Sequence, residues 1–115
     1  MWIPFNVKYI KLNSYNQYIT DNLPNDIEEL VLGSNFNLEL NNFSTSIVKI
    51  IFHEYCDYNK ELNCLPNSVE LIQLPKKYNL LIVNKPKKLK KIICSNNYIY
   101  LKNLKLNYEV VTYGA

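Results

Sequence analysis

The sequence predicts a mainly β fold: a right-handed leucine-rich-repeat-type solenoid of about five coils, each of roughly 20–22 residues, whose strands form one parallel sheet. Two observations predict it. An apolar pattern recurs five times along the chain, and the apolar residues are mostly Leu, Ile, Val, Tyr and Phe, with two Gly and a single Ala. Such β-branched and aromatic residues fit pleated strands better than long helices. The chain has 115 residues, which predicts one domain covering residues 1–115.

The repeat is clearest in "LPNDIEELVLGSNFNLEL" (residues 23–40) and "LPNSVELIQLPKKYNLLI" (residues 65–82). A Leu-Pro pair followed by three apolar anchors gives the frame in which five segments align. The first anchors are Val7, Ile27, Ile47, Val69 and Leu89, so all steps between them are equal except the third, which is two residues longer. The long step places a two-residue insertion in "HEYCDYN", after Phe52. One coil cannot bury its own apolar face, and stacked coils together build a core.

The last two anchors of each segment are two residues apart, so both point inward from one side of a strand. The predicted strands are Tyr9–Leu12, Glu29–Leu32, Lys49–Phe52, Leu71–Leu74 and Lys91–Cys94. A degenerate last strand is predicted near residues 110–113. The proline that precedes the anchors suits a turn entering a strand. Because such a short coil leaves little room for a helix, we expect the remaining segments to be extended or short 3₁₀ turns.

The period of this repeat, roughly 20 to 22 residues, lies in the range of leucine-rich repeats. Within that range the chain resembles the FNIP repeat, most closely at Leu23, Pro24, Gly33, Phe36 and Asn37. The resemblance extends over roughly residues 3–100 and implies a short repeat of the leucine-rich type. FNIP-repeat proteins are known mainly from amoebae and the large viruses that infect them, and many carry an N-terminal F-box. Because the repeat begins at Ile3, an F-box of roughly 40–50 residues has no room, and we expect none.

The abundance of Lys, Asn, Ile and Tyr is typical of an AT-rich genome. The start "MWIPFNVKYIKL" has no secretion signal, and no apolar stretch approaches ~18 residues. The cysteines, Cys56, Cys64 and Cys94, form an odd set without a CxxC pair. We therefore expect an intracellular, cytoplasmic protein with reduced thiols and no membrane contact, in the host cytoplasm if it is viral.

Residues His53, Glu54, Cys56 and Asp57 resemble a metal or nucleophile cluster. The chain has no second histidine, and the cluster falls on the insertion, so we expect a surface loop. A zinc site of three cysteines and His53 remains an alternative, although its spacing matches no common pattern. No Gly-rich phosphate loop, hydrolase elbow or carboxylate pair appears. The sequence thus predicts no enzyme, no cofactor and no metal.

The residues next to the inward anchors point outward and form the predicted site. The residues between the anchors are Lys11, Val31, Ile51, Gln73 and Ile93, and those preceding them are Tyr9, Glu29, Lys49, Leu71 and Lys91. An apolar strip edged by charge resembles the composition of interaction sites. The sequence therefore predicts a protein–protein interaction module whose strand face binds a protein partner or a second copy. The β propensity of Val and Ile could also explain the strip without any partner.

The alternative function is nucleic-acid binding through a basic run. Its lysines are Lys85, Lys87, Lys88, Lys90 and Lys91. They fall mostly where the repeat exposes polar side chains, and the formal net charge of the chain is only +3. Nucleic acid is therefore the less favoured partner.

Overall fold

The computed structural model of the chain describes residues 7–13, 22–40 and 45–113. These residues form a six-stranded parallel sheet in which the strands follow one another in chain order, as a β-solenoid requires. The strands are β1 (Tyr9–Leu12), β2 (Glu29–Leu32), β3 (Lys49–Phe52), β4 (Leu71–Gln73), β5 (Lys91–Ser95) and β6 (Glu109–Tyr113). A short helix, α1 (Leu101–Lys105), lies between β5 and β6. The predicted solenoid with one parallel sheet is confirmed.

The register of the sheet follows the predicted repeat. Leu30 pairs with Ile10 and Ile50 on the two sides of β2, and Ile72 pairs with Ile50 and Ile92 on the two sides of β4. The steps from β1 to β2 and from β2 to β3 are equal, and the insertion lengthens the step from β3 to β4 by two residues. The step from Lys91 to Glu109 is two residues shorter than the first two. The shortened last coil explains why the repeat frame did not extend to β6.

The inward anchors form the core of the stack. Anchors of the middle coils are fully buried: Ile27, Leu30, Leu32, Ile47, Ile50, Phe52, Val69, Ile72, Leu74 and Ile92. Burying a side chain of this size stabilises the fold by about 1.5–3 kcal/mol. In the two end strands Ile10 and Val110 are only partly buried, because each has a neighbouring coil on one side. The core is thus a set of apolar columns that weaken at both ends.

A β-turn leads into most strands, where the repeat places its proline. The N–H of the first anchor donates to the carbonyl of the proline three residues earlier, at 3.4 Å in the second coil, 3.2 Å in the fourth and 3.1 Å in the fifth. A second turn follows β2, β4 and β5 and brings an aromatic side chain inward. Phe36, Tyr78 and Tyr98 each close this turn through their N–H groups. The two turns bend each coil around the core.

The two-residue insertion lies in the turn region after β3. Cys56 takes the turn position that an aromatic residue holds elsewhere, and its N–H donates to the carbonyl of His53 at 3.0 Å. Tyr58, two residues later, still reaches the aromatic column and stacks on Phe36 with ring centroids 5.9 Å apart. Both Cys56 and Tyr58 are buried. The insertion is therefore absorbed by burying one extra small side chain.

The ends of β4 and β5 and the last connecting segment differ from the prediction, and β5 ends one residue late, at Ser95. Strand β4 ends at Gln73, one residue early, because Pro75 has no N–H with which to continue the ladder. The last coil contains a helical turn, α1, where extended chain was expected, and it buries Leu104. No helix in the described part of the chain is both long and apolar enough to cross a membrane.

Candidate interaction face

The parallel register aligns the outward residues of all six strands into two rows, which we call the central row and the flanking row. The central row is Lys11, Val31, Ile51, Gln73, Ile93 and Val111. The flanking row is Tyr9, Glu29, Lys49, Leu71, Lys91 and Glu109. Together the two rows form one surface, the strand face. The structure thus brings all ten predicted site residues together and adds Glu109 and Val111.

The central row is mostly aliphatic and remains open to solvent. Val31, Ile51 and Ile93 are half-buried, packed on each side by the neighbouring strands. Val111, on the edge strand, is 41% exposed. An outward face of a sheet normally carries polar side chains. The row is therefore an apolar strip on the surface, with Lys11 at one end.

The flanking row is mixed in charge. Lys49 and Glu109 are exposed, Glu29 and Lys91 are half-buried, and Tyr9 is 54% exposed. Lys91 and Glu109 form an ion pair at 3.7 Å across β5 and β6. Such surface pairs contribute little to stability, so their main effect here is on the charge pattern of the face.

A shallow depression of about 310 Å³ lies over the carboxyl ends of the strands. Its floor includes Val31 and Ile51, and its rim includes Lys11, His53 and Tyr113. The hydroxyl of Tyr113 donates to the carbonyl of Leu74, two strands away, so this side chain lies across the end of β5. Backbone and aromatic side chain together give the strand face a concave region.

Gln73 is the uncharged polar member of the central row, and its side chain has a structural partner. Its Nε2 donates to the carbonyl of Phe52 at 3.0 Å. In the earlier coils the equivalent carbonyls, of Leu12 and Leu32, accept from the backbone N–H of Gly33 and His53. Pro75 holds that position in the fourth coil and cannot donate. The Gln73 amide therefore replaces a missing backbone hydrogen bond.

The lysines of the basic run are spread over different environments. Lys85 Nζ donates to the carbonyl of Ile82 at 2.8 Å, and Lys90 pairs with Glu70 at 3.4 Å. Lys91 belongs to the flanking row, where it pairs with Glu109. Lys87 and Lys88 are exposed in the turn that enters β5. Three of the five lysines thus have a carboxylate or carbonyl partner, which reduces their use as phosphate ligands.

His53 is exposed at the turn after β3, as expected for a surface loop. Its Nδ1 accepts from the N–H of Tyr55 at 3.2 Å. Cys64 is exposed, whereas Cys56 and Cys94 are buried. Burial raises the pKa of the Cys56 and Cys94 thiols, which favours their neutral form. Among the residues that the structure describes, no group of three or more His, Cys, Asp or Glu side chains could hold a metal ion.

Sequence reasoning missed Glu109, Val111 and Tyr113 as members or neighbours of the face. The alternation in "EVVTY" indicated a strand, but the shortened last coil left it outside the repeat frame. It also missed the serines of the repeat. Ser46 and Ser68 donate to the carbonyls of Ile27 and Ile47 in the preceding coil, at 2.6 and 2.7 Å. Their recurrence at one position of the repeat was the available signal.

Comparison with protein families agrees with this geometry. The FNIP repeat model matches residues 1–35 and residues 15–55. No curated protein and no solved structure matched the chain. The parallel pairing of strands in the matched segment continues through β6. Residues 1–55 of the chain thus carry FNIP repeats.

Proposed function

We propose that this chain is a non-catalytic protein-interaction module that binds a protein through its strand face. The observation that supports it most is the central row, where aliphatic side chains from four strands align on an open surface. The flanking row adds a mixed-charge edge. Apolar residues edged by charge are the composition that protein interfaces use.

The chemistry of the remaining residues supports binding over catalysis. The two buried thiols are held in their neutral form, and the exposed Cys64 has no histidine beside it in the described residues. Nucleic acid is less favoured, because the carbonyl of Ile82 and the carboxylates of Glu70 and Glu109 engage three lysines of the basic run. Retention on nucleic acid that weakens as the salt concentration rises would favour that alternative instead.

The test removes the apolar character of the strand face. The variant carries Val31→Ser, Ile51→Ser and Ile93→Ser together, and circular dichroism confirms its fold. We expect it to lose capture of protein from a lysate of the cells that produce the chain, because the desolvated apolar contacts supply most binding energy.

The matched control carries three apolar-to-serine changes away from the face: Leu81→Ser, Val83→Ser and Ile99→Ser. These side chains are all exposed, at 39%, 63% and 67%. We expect the control to retain capture. Equal capture by the folded face variant and the control would overturn the proposal.

A further inference from the structure

Two copies of the strand face are complementary when they face each other and are related by a rotation of 180° about an axis that runs parallel to the strands. We propose that the protein bound by the strand face is a second copy of this chain, in that arrangement. The inference rests on the proposed function and names its partner. The axis passes between β3 and β4, so β1 of one copy faces β6 of the other, β2 faces β5, and β3 faces β4. Such face-to-face sheets keep their strand directions aligned.

This rotation places compatible side chains opposite each other on the inner strands, whereas at the two ends of the face Lys11 meets Val111 and Tyr9 meets Glu109. In the central row, Val31 of one copy faces Ile93 of the other, and Ile51 faces Gln73. In the flanking row, Glu29 faces Lys91, so a negative group meets a positive one. Each contact occurs twice because the interface is symmetric.

The charges at the ends of the face extend this complementarity. The Lys91–Glu109 ion pair of one copy lies opposite β1 and β2 of the other. Its lysine faces Glu29, and its carboxylate lies one row from Lys11. Lys49 faces Leu71 and has no carboxylate opposite it, so its aliphatic stem covers the leucine while its ammonium group stays in water.

The other possible two-fold axis, along the stacking direction, fits less well. Placed midway between the two rows, it reverses the strand direction and puts the flanking row of one copy on the central row of the other. Glu29 would then cover Val31, and Lys91 would cover Ile93. Removing a charge from water against an aliphatic side chain costs free energy without compensation. Placed over the central row, the axis sets Lys11 of one copy against Lys11 of the other. The axis parallel to the strands is therefore preferred.

The depression on the face lies close to the preferred axis. Ile51 and Gln73, which stand on the two strands beside the axis, both line it. The depression of one copy is thus opposite the same region of the other. The two depressions together enclose a space at the centre of the interface, lined by Ile51 and Gln73 of both copies.

The size of the face sets the strength of the contact. Six strands at a spacing of ~4.8 Å, presenting about four residues each, give a face of roughly 24 by 12 Å. A dimer through it buries roughly 600 Å² in total, below the ~1,200 Å² of stable interfaces. We therefore expect a weak, reversible dimer.

The first experiment maps the arrangement by cross-linking. In a Cys64→Ser background, one preparation carries Val31→Cys and another carries Ile93→Cys, each with a different mass tag. Positions 31 and 93 face each other between copies, whereas two copies of position 31 lie three strands apart across the interface. We expect a short bismaleimide to link the mixed preparations into dimers several-fold more efficiently than either preparation alone. Equal cross-linking in all three samples would overturn the arrangement.

The second experiment uses charge. Glu29→Lys puts like charges opposite each other in its own dimer, and Lys91→Glu does the same with the opposite sign. Sedimentation at increasing concentration should show each variant dimerising roughly tenfold more weakly than the parent. An equimolar mixture should recover dimerisation, because both mixed contacts pair Lys with Glu. Glu61→Lys, a change of the same charge outside the strand face, serves as the control.

The results separate this inference from the proposed function. A chain that stays monomeric at high concentration, while its serine triple variant loses a captured protein, overturns the second copy as partner and leaves the binding face in place. A mixture of charge variants that fails to recover dimerisation overturns the two-fold arrangement. Dimerisation of the serine triple variant equal to that of the parent overturns the use of the strand face.

Discussion

At the scale of single residues, one side chain explains an irregularity of the sheet. Pro75 interrupts the ladder because it has no N–H, and the carbonyl of Phe52 would lose its donor. The Gln73 amide supplies that donor at 3.0 Å. A polar residue in a mostly aliphatic row is thus explained by a proline two positions later in the chain. Its presence in the central row has a structural cause independent of binding.

A double-mutant cycle tests this compensation. Gln73→Ala should lower the free energy of unfolding by about 0.5–1.5 kcal/mol, because a carbonyl loses its hydrogen bond. In a Pro75→Ala background the new N–H can donate to Phe52, so the same Gln73→Ala change should cost distinctly less. Urea denaturation of the four proteins measures the coupling. Equal costs in the two backgrounds would show that the Gln73 amide and the proline are unrelated.

At the scale of the element, adjacent residues of one strand have opposite roles. Ile50 is fully buried between its neighbours in the core column, while Ile51 is half-buried in the central row. The two residues have the same side chain and lie in the same strand. Only the alternation of side chains between the two faces of the sheet places them in different environments.

This contrast predicts different costs of truncation. Ile50→Ala should lower the free energy of unfolding by about 2–5 kcal/mol, because it leaves a cavity in the stack. Ile51→Ala leaves no enclosed cavity and should cost about 1 kcal/mol or less. Thermal or urea unfolding of both variants compares them directly. If the two costs were similar, the assignment of the inward and outward faces would be wrong.

Periodicity was sufficient to predict the strands, because the inward anchors of neighbouring coils must coincide for the core to close. Leu30 and Ile50 were placed on one column from their spacing alone, and the register shows them paired. Periodicity could not predict the individual side-chain hydrogen bonds between coils. The replacement of the Pro75 donor by Gln73 and the reach of Tyr113 across β5 are contacts of this kind. Binding by the strand face stays a prediction, since outward side chains are under no packing constraint that spacing reveals.

At the scale of the whole molecule, buried phenols form a column along the stack. Tyr78 and Tyr98 donate to the carbonyls of Lys60 and Leu80 in the preceding coil, at 2.9 and 2.5 Å. Tyr58 is buried as well, and its hydroxyl has no partner within the described ranges of the chain. Burial is the main cause that raises the pKa of all three phenols and of Tyr113.

Stability should therefore fall at alkaline pH. The folded state keeps these groups neutral, while the unfolded chain ionises near the ordinary pKa values of 9.0 for Cys and 10.0 for Tyr. Because the folded pKa values are raised, their contribution is complete below pH 9 and is lost as the pH rises through the folded values. Each buried phenol can then reduce the free energy of unfolding by up to about 1.4 kcal/mol per pH unit.

Urea unfolding between pH 7 and about pH 11 measures this loss. Tyr98→Phe should flatten the alkaline slope of the free energy of unfolding, because it removes one of the buried phenols whose pKa is raised. A free energy of unfolding that stays constant across this range would contradict the role given to the buried phenols.

The stacking of coils in chain order also has a mechanical meaning. Strong packing contacts join successive strands, so a coil at either end can detach while the rest of the stack stays folded. A detached coil of about 20 residues releases roughly 66–72 Å of chain, whereas it occupied only ~4.8 Å along the stack. Under tension the molecule would therefore lengthen in separate steps, one coil at a time and from its ends inward.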